Sequence, residues 1–198
     1  MLIDRALHRY FDDVANYLIC MISLTLTHEL YIAGTARRYA SNHMVQIDGK
    51  QVGRRIKFYP SSLLDQFFDN LVWPQQIQFD EEPVTIDSSA RLTLSVYERP
   101  LYAFAQAMFV NYFERHRPDV ESAYGDNLSS WPSEWNFARV VRNSVAHNGC
   151  INFHNLSASP VSWRGLTYSP SDNRRNVIFS DLWIADLIYL MMDMDARL

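Results

Sequence analysis

The chain has 198 residues and a formal net charge of −4 at pH 7, and 48% of its residues are hydrophobic. This composition excludes an intrinsically disordered chain, and the negative charge excludes a protein that coats nucleic acid non-specifically. Any nucleic-acid site must therefore be a local patch. The length suits a single domain over residues 1–198, with an irregular insertion at about 34–96. Cys20 and Cys150 fit no disulfide framework and no metal-ligand spacing, and no secretory signal is recognised, so we expect free thiols, no cofactor and a cytoplasmic protein.

Apolar residues near the N-terminus predict a long first helix, with Asp4 as its N-cap. Residues 17–26 of this segment are apolar on nearly all sides, but this run is shorter than the roughly 20 residues that a membrane span needs. We therefore expect a helix buried in the core or at a dimer interface, not a membrane anchor. The positions that follow the 3.6-residue spacing of a helix are Leu7, Tyr10, Phe11, Val14, Leu18, Met21, Ile22 and Thr25.

Helical periodicity weakens between residues 34 and 97, where glycines and prolines separate short segments. Ile47–Val52 predicts a β-hairpin with an Asp-Gly turn, and Leu63–Leu71 predicts a short amphipathic helix. The first half of this insertion mixes basic and aromatic residues, a composition that suits single-stranded RNA. A solvated basic loop is the alternative interpretation. The candidate RNA contacts here are Arg37, Arg38, Arg54, Arg55 and Lys57.

The second half of the chain predicts three more helices. One runs from Pro100 to Arg115, where Pro118 ends the pattern, and the next begins at Ser133 as N-cap and stops at Gly149. Residues 161–168 and 175–179 predict a hairpin around 169–173, and Ser180 caps a final apolar helix. The predicted fold is therefore mainly α, an antiparallel bundle of about four or five helices with a short β-hairpin before the C-terminal helix.

The helix predicted from Ser133 to Gly149 has the most informative polar face. At about 100° per residue, Arg139, Arg142, Asn143 and His147 fall within an arc of roughly 140°, opposite an apolar arc. This polar arc contains neither lysine nor carboxylate, so it predicts a site for an anion. His147 lies in the last turn, where the helix dipole favours a cationic imidazole. Trp135 is a candidate for stacking an RNA base, with packing in the core as the alternative.

The segment Arg142-Asn143-Ser144-Val145-Ala146-His147 resembles the R-x4-6-H signature of the HEPN superfamily of helical ribonucleases. The resemblance covers about residues 97–198 and, loosely, the N-terminal helix. It implies a metal-independent endoribonuclease that cleaves RNA through attack by the 2′-hydroxyl group. Arg142 would bind the scissile phosphate, His147 would transfer protons, and Asn143 would orient the imidazole or contact phosphate.

HEPN proteins commonly form homodimers whose motifs face each other across a cleft, and many are toxins, abortive-infection proteins or defence effectors. The resemblance therefore implies RNA, a second copy of the chain, and an antitoxin or regulatory protein as partners. One toxin branch carries a tyrosine two places after the motif histidine. Gly149 occupies that position here, so nucleotidyl transfer onto such a tyrosine is not expected.

Two other interpretations stay open. The chain could be a non-catalytic HEPN-like module that uses the arginine face to bind RNA, a nucleotide or an acidic protein. The motif could instead be structural, with Arg142 paired to an acidic residue such as Asp186 and His147 capping the helix. The sequence has no Gly-rich phosphate loop and no His/Cys set at metal-ligand spacing, so no metal site is expected.

Overall fold

The structure, a computed structural model, describes residues 1–33, 39–63 and 73–198. In these ranges the helices with defined bounds are α1 (Phe11–Ala33), α2 (Glu98–Tyr124), α3 (Ser133–Ala146) and α4 (Ile184–Asp195). The strands are β1 (Leu2–Asp4), β2 (Val45–Gly49), β3 (Arg54–Phe58), β4 (Gln76–Gln78), β5 (Asp80–Pro83), β6 (Val161–Trp163) and β7 (Leu166–Tyr168). Most of the short helix expected at Leu63–Leu71 lies outside the described residues.

The strands form three antiparallel sheets, so the prediction of a mainly α bundle with a single hairpin is wrong. β1 pairs with β4, β2, β3 and β5 form a three-stranded sheet, and β6 pairs with β7. Within its described part, the segment expected to be an irregular insertion supplies β2 to β5. These strands are only three to five residues long and several pair with distant segments, so the local sequence gives little sign of them.

The sequence of β5 does not predict a strand. Its sequence is Asp-Glu-Glu-Pro, and acidic residues and proline are depleted in strands. Its partner β3 places Arg55 opposite Glu82, and Lys57 Nζ lies 2.5 Å from a Glu82 carboxylate oxygen. Opposite charges across neighbouring strands stabilise the pairing. The strand therefore depends on its partner and not on its own composition.

The hairpin expected at Ile47–Val52 forms, but its turn lies beyond the Asp-Gly pair. The strands end at Gly49 and begin again at Arg54, and Asp48 lies within β2 opposite Arg55. The carboxylate of Asp186 on α4 accepts hydrogen bonds from the backbone N–H groups of the turn residues Lys50 and Val52, each at 2.8 Å. A contact with a distant helix therefore holds the turn in its observed place.

Helix α4 lies at the centre of the hydrophobic core. It packs against β2 and β3 and also against α2 and α3, while α1 packs on α2. Leu187, Ile188, Leu190 and Met191 are fully buried, so the apolar α4 is an internal helix. None of the described helices is long and apolar enough to cross a membrane.

Helix α1 begins later than the sequence indicates. Asp4 belongs to β1 and accepts a hydrogen bond from the backbone N–H of Ala6, and Leu7 is exposed, so neither takes part in the helix. The helix starts at Phe11, with Asp12 and Asp13 in its first turn, where negative charge interacts favourably with the helix dipole.

Helix α2 continues past Pro118, which the sequence predicts as its end. A proline inside a helix removes one backbone hydrogen bond and costs about 3 kcal/mol. Packing offsets this cost, because Val120 is fully buried and the Tyr124 hydroxyl donates to the backbone carbonyl of Arg197 at 2.8 Å. The last helical residue is Tyr124, and the C-cap residue Gly125 has a φ of +81°.

The elements at the C-terminal end are also shifted from their expected bounds. Gly165, with φ of +84°, turns the chain between β6 and β7, so the hairpin lies within 161–168 and does not use 175–179 as its second strand. Helix α4 starts at Ile184 instead of following Ser180, because the Asp186 carboxylate accepts the backbone N–H of Trp183 at 2.8 Å.

Candidate functional site

Helix α3 positions most of the residues that the sequence analysis selected. Its N-cap is Pro132 and not Ser133, which is the first helical residue. The apolar face is buried, and the Phe137 ring stacks on Tyr168 of the β6–β7 hairpin at 5.1 Å between ring centroids. This packing fixes the rotation of α3 about its axis. Arg139, Arg142 and Asn143 therefore lie on the side away from this packing, whereas Ser144 is buried and its hydroxyl donates to the carbonyl of Val141.

Trp135 lies on the buried side of α3. Its side chain is fully buried, and its indole Nε1 donates to the backbone carbonyl of Met194 at 3.0 Å. Phe113, Tyr112 and Trp131 surround the ring. Both faces of the indole are covered by protein, so Trp135 cannot stack an RNA base. The prediction that it contacts RNA is therefore wrong.

Arg142 is oriented by two neighbours. Its Nε donates to Glu114 Oε1 on α2, and its Nη1 donates to Asn143 Oδ1 at 3.2 Å. A guanidinium group has five N–H donors, so three remain for another acceptor. The carboxylate partner is Glu114 and not Asp186, and the sequence gives no sign of this pairing because the two residues lie on different helices.

Arg142 and Asn143 line a cavity of about 200 Å³ that also contacts Arg117 and Arg139. Arg117 is paired with Glu121 of its own helix at 2.7 Å. Arg139 makes no hydrogen bond or ion pair with the described residues, and its Nε is buried without a partner. Burial lowers the pKa of Arg139. Arg139 is therefore the cation of this cavity that no carboxylate of the described chain compensates.

Helix α3 ends at Ala146, close to the expected stop at Gly149, so His147 follows the last turn instead of lying in it. Asn148 and Gly149 have φ values of +59° and +80°, and the Gly149 N–H donates to the carbonyl of Ser144 at 2.8 Å. A Cβ atom at position 149 would collide with the Tyr102 hydroxyl. Both backbone conformation and space require glycine here. His147 is the C-cap residue, and its side chain is exposed.

A second histidine lies beside His147. The ring of His154 is 5.6 Å away between centroids, and Asn152 Nδ2 lies 2.9 Å from His147 Nε2. An amide nitrogen donates, so Nε2 accepts and the neutral His147 ring carries its proton on Nδ1. Sequence reasoning missed His154. The sequence signal was the alternation of apolar Ile151 and Phe153 with polar Asn152 and His154. In the structure the two apolar residues are buried and the two polar ones are exposed or half-exposed.

The structure therefore divides the predicted motif between two adjoining places. Arg139, Arg142 and Asn143 meet at the cavity, whereas His147 joins Asn152 and His154 at the end of the helix. His147 is the fifth residue after Arg142, which corresponds to about 7.5 Å along a helix axis. One place can bind an anion, and the other can exchange protons.

The basic residues of the sheet are largely neutralised. Arg55 forms a bidentate pair with Asp48, at 2.6 and 2.9 Å, and Lys57 pairs with Glu82. The hydrogen bond that Lys57 donates lowers the pKa of Glu82, and the hydrogen bonds that Arg55 donates to Asp48 raise the pKa of Arg55. Arg54 is exposed at the start of β3. Arg37 and Arg38 lie outside the described residues.

Among the residues that the structure describes, no group of three His, Cys, Asp or Glu side chains could hold a metal ion. Cys20 and Cys150 are free thiols. The chain matches no family model, no curated protein and no solved structure.

Proposed function

We propose that this protein is a metal-independent endoribonuclease in which Arg142 and His147 act as the HEPN resemblance implies, together with His154, and in which Asn143 holds the Arg142 guanidinium. The observation that carries this proposal is the exposed pair of imidazoles, His147 and His154, at the end of the helix that bears Arg142. General acid–base cleavage of RNA needs one group that accepts a proton and another that donates one. A pair of neighbouring imidazoles supplies both within one chain.

The reaction would begin with one imidazole accepting the proton of the RNA 2′-hydroxyl. The 2′-oxygen then forms a bond to phosphorus, and the bond from phosphorus to the 5′-oxygen breaks. The other imidazole, in its protonated form, gives its proton to the leaving 5′-oxygen. The products are a 2′,3′-cyclic phosphate and a 5′-hydroxyl end. An imidazole can serve as either the acid or the base in such a reaction.

Arg142 would donate its unused N–H groups to the non-bridging phosphate oxygens and stabilise their growing charge. Glu114 and Asn143 hold the guanidinium in place, so these are positioning residues in their present contacts. Asn152 is a positioning residue for His147. Its amide donates to Nε2 of the imidazole and so keeps the ring proton on Nδ1.

The test is incubation of purified protein with end-labelled mixed RNA in EDTA, followed by analysis of the product ends. We expect cleavage to survive chelation and to leave cyclic phosphates. His147→Ala and Arg142→Ala should fold normally and lower the rate by about a hundredfold or more. His43→Ala is the matched control, because His43 is also exposed and lies before β2. Loss of all cleavage in EDTA, or unfolding of both motif variants by circular dichroism, would overturn the proposal.

A non-catalytic module that binds RNA, a nucleotide or an acidic protein is the second candidate. It is favoured by the separation of the two places, because the described residues lining the cavity of Arg139 and Arg142 include no histidine. In that case Arg142→Ala would weaken binding of RNA, whereas His147→Ala would leave binding unchanged and no cleavage would be detected.

We further propose a cytoplasmic homodimer in which Arg142 and His147 of both copies line one groove, with an antitoxin or regulatory protein as a further partner. This assembly is supported by the family resemblance alone. The apolar residues of α1 that suggested a dimer interface pack largely inside the chain, as do those of α4: Leu18, Ile22, Met191 and Met194 are buried. A monomeric mass in sedimentation at micromolar concentration would contradict the dimer.

A further inference from the structure

Arg139 differs from the arginines around it. Arg142 is paired with Glu114, and Arg117 is paired with Glu121. The Arg139 guanidinium has neither a carboxylate nor a hydrogen-bond acceptor among the described residues, although its Nε is buried. A half-buried cation without a partner loses hydration and gains no ion pair in return. A bound anion would compensate this charge.

Arg139 also borders a second and larger cavity, which we call the Arg139 cavity. Its volume is about 660 Å³, and it lies between the 3₁₀ turn Leu128–Ser130, the start of α3 and residues 158–162. The described residues that line it include no aspartate or glutamate. Its polar lining consists of Ser129, Ser133, Asn136, Arg139, Ser159 and Ser162.

Most of these polar groups already have partners within the chain. Asn136 uses its amide nitrogen on the carbonyls of Leu128 and Trp131, at 2.7 and 3.1 Å. The hydroxyl of Ser133 donates to Glu134, whose carboxylate also accepts from Arg197. Neither Ser159 nor Arg139 forms such a bond with any described residue. A guanidinium and a free hydroxyl that line the same cavity are a donor set suited to phosphate oxygens.

The rest of the wall is apolar and larger than a phosphate ion requires. Leu128, Trp131, Pro160 and Val161 form this side, and Leu128 is 39% exposed. The volume falls within the range of about 300–1,000 Å³ typical of small-molecule sites. Such a wall gives a planar ring a surface to pack against. The ligand that fits both sides carries an anionic group and a ring.

We propose that the Arg139 cavity binds a nucleotide unit, with its phosphate on Arg139 and Ser159 and its base against Leu128 and Trp131. The unit is either a free mononucleotide or one residue of a bound strand, and the phosphate recognition is the same in both. The site lies off the His147 imidazole pair, so this inference does not require that the protein cleaves RNA.

The test is calorimetric titration with AMP, adenosine and the dinucleoside monophosphate ApA. In the wild-type protein AMP should bind at least about tenfold more tightly than adenosine, because only AMP carries the charge that Arg139 compensates. The Arg139→Gln variant should lose this preference, and Arg139→Lys should keep part of it. Arg117→Gln is the control, since Arg117 contacts the smaller cavity but is paired with Glu121.

Each outcome decides the proposal. Binding of ApA as tight as that of AMP indicates a unit of a strand, and binding of AMP alone indicates a free nucleotide. Equal binding of AMP and adenosine to the wild-type protein overturns the proposal without any variant, as does the absence of binding at millimolar AMP. The His147→Ala variant should bind AMP and adenosine as the wild-type protein does. Binding at the Arg139 cavity can therefore be confirmed even if the protein does not cleave RNA.

Discussion

Replacing Asp186 by asparagine should strongly destabilise the protein, because this carboxylate joins the three-stranded sheet to the central helix. Asp186 is fully buried on α4. It accepts backbone N–H groups of Lys50, Val52 and Trp183, each at 2.8 Å. Asparagine keeps one acceptor oxygen and places an NH₂ group where the other oxygen stood, so at least one of these N–H groups would face a donor.

The size of the effect follows from these bonds. A hydrogen bond to a charged group contributes about 1.5–3 kcal/mol, and an unpaired buried N–H costs about 1–3 kcal/mol. Asp186→Asn should therefore lower the free energy of unfolding by about 3 kcal/mol at neutral pH. For a chain of 198 residues this corresponds to a fall in Tm of about 6–12 °C.

Urea and thermal unfolding monitored by circular dichroism measure this change. The matched control is Asp193→Asn on the same helix: Asp193 pairs with Arg164, whose side chain is 43% exposed, and asparagine keeps one oxygen that can accept the indole N–H of Trp163. An exposed ion pair contributes at most about 1 kcal/mol, so the control should change little. If the two variants lose the same stability, the hydrogen bonds of Asp186 do not hold the three-stranded sheet against α4.

The destabilisation should also depend on pH. Burial raises the pKa of Asp186 from 3.8 to about 6, although the backbone N–H donors act in the opposite direction. The folded protein therefore binds this proton more tightly than the unfolded chain does. The resulting stabilisation is fully present below the unfolded pKa and is lost as the pH rises through about 6. The free energy of unfolding of the wild-type protein should therefore fall relative to that of Asp186→Asn as the pH rises from 3.5 to 8.

Three further predictions concern residues around α3. His154→Ala should lower the rate of RNA cleavage by about a hundredfold and remove one limb of its pH–rate profile; an unchanged profile would exclude the second imidazole from the reaction. Glu114→Gln should lower KM for RNA at low salt, because it frees the charge of Arg142, and should also lower kcat, because the guanidinium loses its orientation; a higher KM would contradict this role. Gly149→Ala should lower the free energy of unfolding by about 1–3 kcal/mol in urea titrations, since alanine disfavours the positive φ. A neutral effect would show that the end of α3 can rearrange.

The candidate site could be predicted only in part. The sequence identifies the polar face of α3 and its glycine stop, because helix periodicity and the conformational freedom of Gly149 are local properties. The contact between Glu114 and Arg142 joins two helices, and burial of Trp135 depends on neighbours from α2 and α4. Neither follows from the spacing of residues along one helix.

The same division applies to the fold. The sequence by itself determined that α1, α2, α3 and α4 are helices, because their apolar residues recur with the helical period and hydrogen bonds within each helix satisfy its backbone. Only the tertiary structure decided the sheets. Leu2–Asp4 is a strand because Gln76–Gln78 lies beside it, and Asp80–Pro83 is a strand because Arg54–Lys57 supplies its hydrogen bonds and opposite charges. Strand hydrogen bonds are made to another segment, so pairing between distant segments is decided where the chain folds back on itself.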